Sequence, residues 1–192
     1  MHPSAMAFAV SALTPANVTG QHVIEAGALN VNGSARPHGE SLHPASWTGT
    51  DLQPGPGVDL LADAADLPAS LGRAGVVIAT EMLEHAPDWQ AALRGLITAI
   101  APGGILILTT RSAGFPYHPY PGDHWRYSVP AMGTIIRAAG LSVLTLISDP
   151  DCPGVFVTAR KPDGWDWPPG ITAAWDHAGV TAITGPAGIE AI

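Results

Sequence analysis

The sequence predicts an α/β domain with a mostly parallel sheet and helices on both of its faces. Three observations carry this. Short apolar runs recur along the chain with helix-patterned segments between several of them, the order that strand–crossover–strand units produce. Two runs, 76–79 and 105–108, are apolar at every position, as a strand buried on both faces requires. Several runs also end near acidic residues or glycine (Glu25 and Gly27, Asp51, Asp63, Glu81), which an open α/β sheet would place at its carboxyl ends, where ligands bind.

The elements follow in order. Residues 5–13 suit a short helix ended by Pro15. The first strand is 23–26. The stretch 34–46 holds Pro37 and Pro44, so any helix there is short. A second strand, 47–50, leads to Asp51, and the Pro-Gly cluster at 53–57 leaves no room for a crossover helix before the third strand, 58–62. Residues 67–71 allow one helical turn, and 76–79 is the central strand. The best helix of the chain comes next: Pro87 suits a first turn, and Trp89, Leu93, Leu96, Ile97 and Ile100 recur at helical spacing until Pro102, Gly103 and Gly104 stop it. Strand 105–108 precedes a long loop, 111–127, rich in Pro, Gly, His and aromatics, and loops of this length in compact domains are often functional. A helix at 129–139 and strands at 141–147 and 155–159 complete seven strands. The remainder, 162–192, carries Trp165, Trp167 and Trp175 among Pro and Gly and reads as an irregular cover or arm.

Composition narrows the function classes. The 192 residues fit one domain, and 46% hydrophobic against 12% charged residues excludes a disordered chain. A net charge of −8 with eight Lys plus Arg leaves little with which to neutralise phosphates, so nucleic acid is not the expected partner. No Lys or Arg precedes the apolar patch at 5–10, and no run approaches about 18 apolar residues, so neither a signal peptide nor a membrane span is expected. Cys152 is the only cysteine, which rules out an intrachain disulfide and suits a reducing compartment; the expected location is cytoplasmic.

The acidic residues at the strand ends carry the chemistry. A carboxylate just beyond a strand can accept both hydroxyls of a ribose or an exocyclic amine, and Gly27 lets the backbone approach a ligand. Ordered along the chain are residues 23–27; Gly49, Thr50, Asp51 and Leu52; the run 62–68 with Asp63, Ala64 and Pro68; the run 79–85, Ala-Thr-Glu-Met-Leu-Glu-His; and 102–106. With these five segments, across about residues 20–160, the chain resembles class I S-adenosylmethionine-dependent methyltransferases, in particular small bacterial ones with Leu-Glu-His after the fourth strand. The resemblance implies a Rossmann-like, seven-stranded, mostly parallel sheet and S-adenosyl-L-methionine as cofactor. It implies that Glu25 and Gly27 border the methionine and ribose, Asp51 holds the ribose hydroxyls, and Leu52 lies against the adenine. Asp63 would accept from the adenine amine, the Ala64 backbone would meet the ring, and Thr80 and Glu81 would flank the methionine end. The loop after Gly27 departs from the family's pattern, with Leu29 and Val31 where richer loops have glycine.

The expected activity is methyl transfer to an oxygen or nitrogen of a small molecule. His85 is the candidate catalytic base, since its unperturbed pKa lies near neutrality; the other reading is that Glu84 and His85 only open the next connection. The loop after the fifth strand should roof the pocket, making Tyr117, His118, His124, Trp125 and Arg126 candidate acceptor-binding residues. Against this stands a self-packed loop in which Asp123 pairs with Arg126 and Trp125 fills core. The spacing of His118, Asp123 and His124 matches no standard metal site, and no metal is expected. Two other readings use the same fold: a nicotinamide-dependent oxidoreductase, opposed by the missing Gly-x-Gly-x-x-Gly turn, and a non-catalytic S-adenosylmethionine-binding module. The Trp-rich end offers a surface for a partner such as a second copy of the chain.

Overall fold

The computed structural model describes residues 1–67, 69–183 and 185. In chain order the elements are α1 (Pro3–Ala12), α2 (Pro15–Val18), β1 (His22–Ala26), α3 (Arg36–Ser41), β2 (Ser46–Asp51), β3 (Leu60–Leu61), β4 (Ala74–Thr80), α4 (Trp89–Ala99), β5 (Ile100–Arg111), β6 (Trp125–Arg126), α5 (Val129–Ala138), β7 (Ser142–Ser148), β8 (Gly154–Arg160), α6 (Ile171–Asp176) and β9 (Thr181–Ala182). Seven of the strands form one sheet in the order β3-β2-β1-β4-β5-β8-β7. Strands β1 to β5 run parallel, and β8 lies antiparallel between β5 and β7. The order reverses between β1 and β4, so the crevice for a ligand opens at the carboxyl ends of those two strands.

Strand alternation divides the core between the two faces. Val76 and Ile78 of β4 and Ile105 and Ile107 of β5 pack with Ala9, Leu13 and Trp47 beneath α1, α2 and α3. Their neighbours Val77, Ala79, Leu106 and Leu108 pack on the other face with Leu93, Ile97, Ile135 and Trp175 of α4, α5 and α6. Continuous apolar runs are what a strand covered on both faces needs. Asp88 caps α4 through the Ala91 amide (2.9 Å), and Ser128 caps α5 through the Ala131 amide (3.1 Å).

Several elements differ from their expected bounds. The third strand shrinks to Leu60–Leu61 at the sheet edge, where Leu61 is 57% exposed and little packing rewards a longer strand. Helix α4 starts at Trp89 because Asp88 supplies its cap. Strand β5 runs on to Arg111, paired with β8 to its end, and so carries a cation to the crevice. The expected turn at 67–71 becomes two 3₁₀ turns, Ala64–Asp66 and Ala69–Leu71; Pro68 lies outside the described residues.

The chain beyond residue 161 contributes α6 and β9. Trp175 is 1% exposed, lies 5.5 Å from the Trp89 ring and donates its indole N–H to the Ile135 carbonyl (2.9 Å). Strand β9 pairs with β6 of the long loop, tying that loop down. Of the expected tail 162–192, residues 184 and 186–192 lie outside the described residues. Among the described residues no helix is long and apolar enough to cross a membrane.

Candidate functional site

A cleft of about 660 Å³ lies across the carboxyl ends of β1, β2 and β4, a size common for small-molecule sites. At one end are Asp51 and Asp63. Asp51 is held by the amides of Leu29 (3.2 Å) and Gln53 (3.0 Å), which set its carboxylate between the first loop and the end of β2. Asp63 opens a 3₁₀ turn by accepting the Ala65 amide (2.9 Å). Leu52, Ala62 and Ala64 line the same cleft, and Leu52 is 66% exposed, an apolar side chain without protein cover at the cleft wall. Gly27 lines the same cleft in the left-handed region (φ 72°), and a Cβ there would stand 2.8 Å from the Met82 side chain, so turn and packing both demand glycine.

The other end is charged. Glu81 follows β4 with φ 52°, an uncommon backbone for a residue with a side chain, fixed by its amide's bond to the Thr109 carbonyl (2.9 Å). Its carboxylate pairs with Arg111 and accepts the His2 amide (2.6 Å). Arg111 also pairs with Asp149 (3.0 Å) and lies over the Phe115 ring (4.3 Å). Ser4 donates to the same Asp149 (2.8 Å), so α1 is anchored at this end.

Of the residues read from the sequence, Gly27, Asp51, Leu52, Asp63, Ala64, Thr80, Glu81, His85 and His118 line this cleft. Glu25 does not. It is one residue inside β1, and alternation turns it to the α1 side, where its buried carboxylate accepts the Trp47 indole N–H (3.0 Å). Tyr117, His124, Trp125 and Arg126 also lie off the cleft lining. Trp125 packs against the core and donates to the Ala86 carbonyl (2.9 Å). Arg126 is buried and paired with Asp123, and it borders a second cavity of about 420 Å³ behind the loop. Residues that the sequence reading missed are Arg111, Met82, Phe115 and Tyr120, which all line the cleft. Arg111 left one legible mark, a cation three residues beyond the apolar run 105–108.

His85 and His118 meet edge to face, ring centroids 4.8 Å apart, at the side of the cleft under the long loop. His85 uses Nδ1 on the Gly122 carbonyl. Burial lowers its pKa more than that bond raises it, so the ring is neutral near pH 7. Glu84 beside it is fully buried, and burial pushes its pKa up to about 7 despite the Thr110 hydroxyl on Oε2 (2.8 Å). Cys152 lies 2.9 Å from Arg111, yet burial and Asp149 push its thiol up, away from a nucleophile's range.

Burial likewise raises the Glu25 pKa to about 7, the Trp47 hydrogen bond only partly opposing it. The folded value lies above the unfolded one, near 4.5. Stability through this group is therefore greatest at low pH and is lost as pH rises from the unfolded to the folded pKa. Glu25→Gln keeps an acceptor for Trp47 and removes the buried charge. It is expected to stabilise the protein by up to about 3 kcal/mol above pH 7. Chemical denaturation at pH 5 and pH 8 checks this: the gain should shrink at pH 5, and an equal gain at both would exclude the linkage.

The family described as Methyltransferase domain matches residues 17–144. No curated protein matches the chain. Among solved structures, the 1,6-didemethyltoxoflavin-N1-methyltransferase of Burkholderia thailandensis, crystallised with 1,6-didemethyltoxoflavin and S-adenosylhomocysteine, is similar with a TM-score of 0.65. It shares 19% identity over 83% of this chain and 79% of its own. The N-methyltransferase NodS of Bradyrhizobium japonicum WM9, in complex with S-adenosyl-L-homocysteine, gives a TM-score of 0.61. Its identity is 15% over 80% of this chain and 84% of its own. A chain from the complex of the Haloferax volcanii Trm112 methyltransferase activator with a methyltransferase gives 0.67, at 18% identity over 86% and 91%. At these identities the likeness is one of fold.

Proposed function

We propose, on the premise that this chain belongs to the methyltransferase domain family, that it transfers a methyl group from S-adenosylmethionine to an oxygen or nitrogen of a small-molecule acceptor. Membership makes it a methyltransferase and sets the nicotinamide reading aside. The observation that carries the donor's placement is that Asp51 and Asp63 line one cleft together with the exposed apolar Leu52. That donor set suits an adenosine: carboxylates for the ribose diol and the adenine amine, and an apolar wall for the ring. Glu81 and Arg111 at the far end match the ammonium and carboxylate of an amino acid.

Bound there, S-adenosylmethionine supplies an electrophilic methyl whose sulfonium leaves as a thioether. The chain's own work is alignment, and orientation of two reactants can be worth about 7–11 kcal/mol. The Gly27 turn and the Glu81–Arg111 pair define the donor's half of the cleft; His85 and His118 define the acceptor's half. The Gly122 carbonyl only accepts, so His85 Nδ1 carries the hydrogen and Nε2 of the neutral ring keeps its lone pair. That lone pair can take a proton from the acceptor or bind a Lewis acid that lowers the acceptor's own pKa.

The small-molecule part rests on the net charge of −8 and on the loop that roofs the cleft, with Tyr120 bonded across to Gln53 (3.0 Å). Calorimetric titration with S-adenosylhomocysteine is expected to show one site per chain with micromolar affinity. No binding at millimolar concentration would overturn the reading. Tight binding without turnover across hydroxyl and amine acceptors would favour a non-catalytic module.

A further inference from the structure

We propose that Glu84, His85 and His118 form a binding site for a divalent transition-metal cation of the zinc type, at the acceptor end of the cleft. Each offers one ligand atom, and the three atoms lie within 4.8 Å of one another. Ligands about 2.0–2.1 Å from a tetrahedral ion stand about 3.3 Å apart, so a closure of no more than about 1.5 Å completes the set. His118 and both partners of its Nδ1, Pro116 and Asp123, belong to the long loop, so a shift of that loop would supply the closure with the ring's own bonds intact.

Two independent features point to a cation rather than to a chance meeting of polar groups. The first is Glu84. Its Oε2 accepts the Thr110 hydroxyl, while Oε1 is buried and has no hydrogen-bond partner among the described residues. An unpartnered buried carboxylate oxygen is costly, and the nearby Arg126 guanidinium is turned to Asp123. The second is the state of the two rings. His85 Nδ1 is spent on the Gly122 carbonyl, and His118 Nδ1 lies 3.1 Å from the Pro116 carbonyl and 3.0 Å from Asp123 Oδ2. Both rings therefore offer Nε2. A carbonyl or carboxylate behind the distal nitrogen is the support that metal-bound histidines have, and it fixes tautomer and ring plane together.

Two imidazoles and one carboxylate suit zinc and its neighbours and leave a coordination position open to the cleft. Only the consequence rests on methyl transfer: an acceptor hydroxyl bound at that position releases its proton to water more readily, leaving an oxygen nucleophile on the ion. The expectation drawn from the sequence, that no metal binds, looked at spacing within the loop; the fold instead brings His118 to the turn after β4.

The test uses the full chain, stripped with a chelator and then titrated with Co²⁺, read by visible d–d absorption, and with Zn²⁺, read by elemental mass spectrometry after dialysis. One ion per chain is expected. His118→Ala and Glu84→Gln should each weaken binding at least about tenfold, whereas His177→Ala, on the exposed end of α6, should not. His118→Ala lies on a half-exposed loop and keeps the test valid if Glu84→Gln does not fold, which circular dichroism reports. No retained ion, or affinity indifferent to His118→Ala, overturns the proposal. Neither cofactor nor acceptor is present, so either result leaves the S-adenosylhomocysteine titration to stand or fall separately.

Discussion

Replacing Arg126 by alanine is expected to lower the free energy of unfolding by about 3–5 kcal/mol while leaving S-adenosylhomocysteine affinity within about threefold. Arg126 is 2% exposed and its guanidinium meets both oxygens of the buried Asp123. It also donates to the carbonyls of Trp125 (3.0 Å), Phe115 (3.4 Å) and Pro116 (3.3 Å), so it gathers the two halves of the long loop. Truncation leaves the Asp123 carboxylate buried without its cation, the case in which a buried pair matters most. Urea unfolding measures the loss. A change below about 1 kcal/mol, together with weakened acceptor binding, would restore the acceptor-binding role that the sequence suggests for Arg126.

Asp51→Ala is expected to raise the S-adenosylhomocysteine dissociation constant at least about 100-fold. Two hydrogen bonds from a ribose diol to a carboxylate are worth about 1.5–3 kcal/mol each, and about 2.7 kcal/mol already corresponds to that factor. The Leu29 and Gln53 amides hold the carboxylate in place beforehand, so little ordering cost offsets the gain. Asp51 is only half-buried, so stability should change by less than about 1 kcal/mol. Titration calorimetry with a parallel melting curve decides this. An affinity change under about threefold would take the ribose contact away from Asp51.

These two residues show which placements chain order fixes and which it leaves open. Asp51 closes a strand that the pattern marks, and parallel sheets put their ligands at strand ends, so its position in the cleft follows from chain order. Arg126 lies in a loop, and nothing local distinguishes a guanidinium facing a ligand from one paired three residues back with Asp123. Glu25 differs from Asp51 in its distance from the strand end: it pairs with Gly49, two residues before Asp51, so its carboxylate stays buried on Trp47 while Asp51 ends its strand at the crevice.

Periodicity, apolar runs and turn residues were enough to reveal seven strands, the main helices, the α/β class and the edge where a ligand belongs. Those features arise between near neighbours, where backbone geometry leaves few choices. Only the folded chain discloses that Arg111 reaches Glu81 and Asp149, that Trp175 enters the common core, and that His118 comes to rest beside Glu84 and His85. Such contacts join segments far apart in the chain, and their geometry is set by packing, which no local pattern encodes.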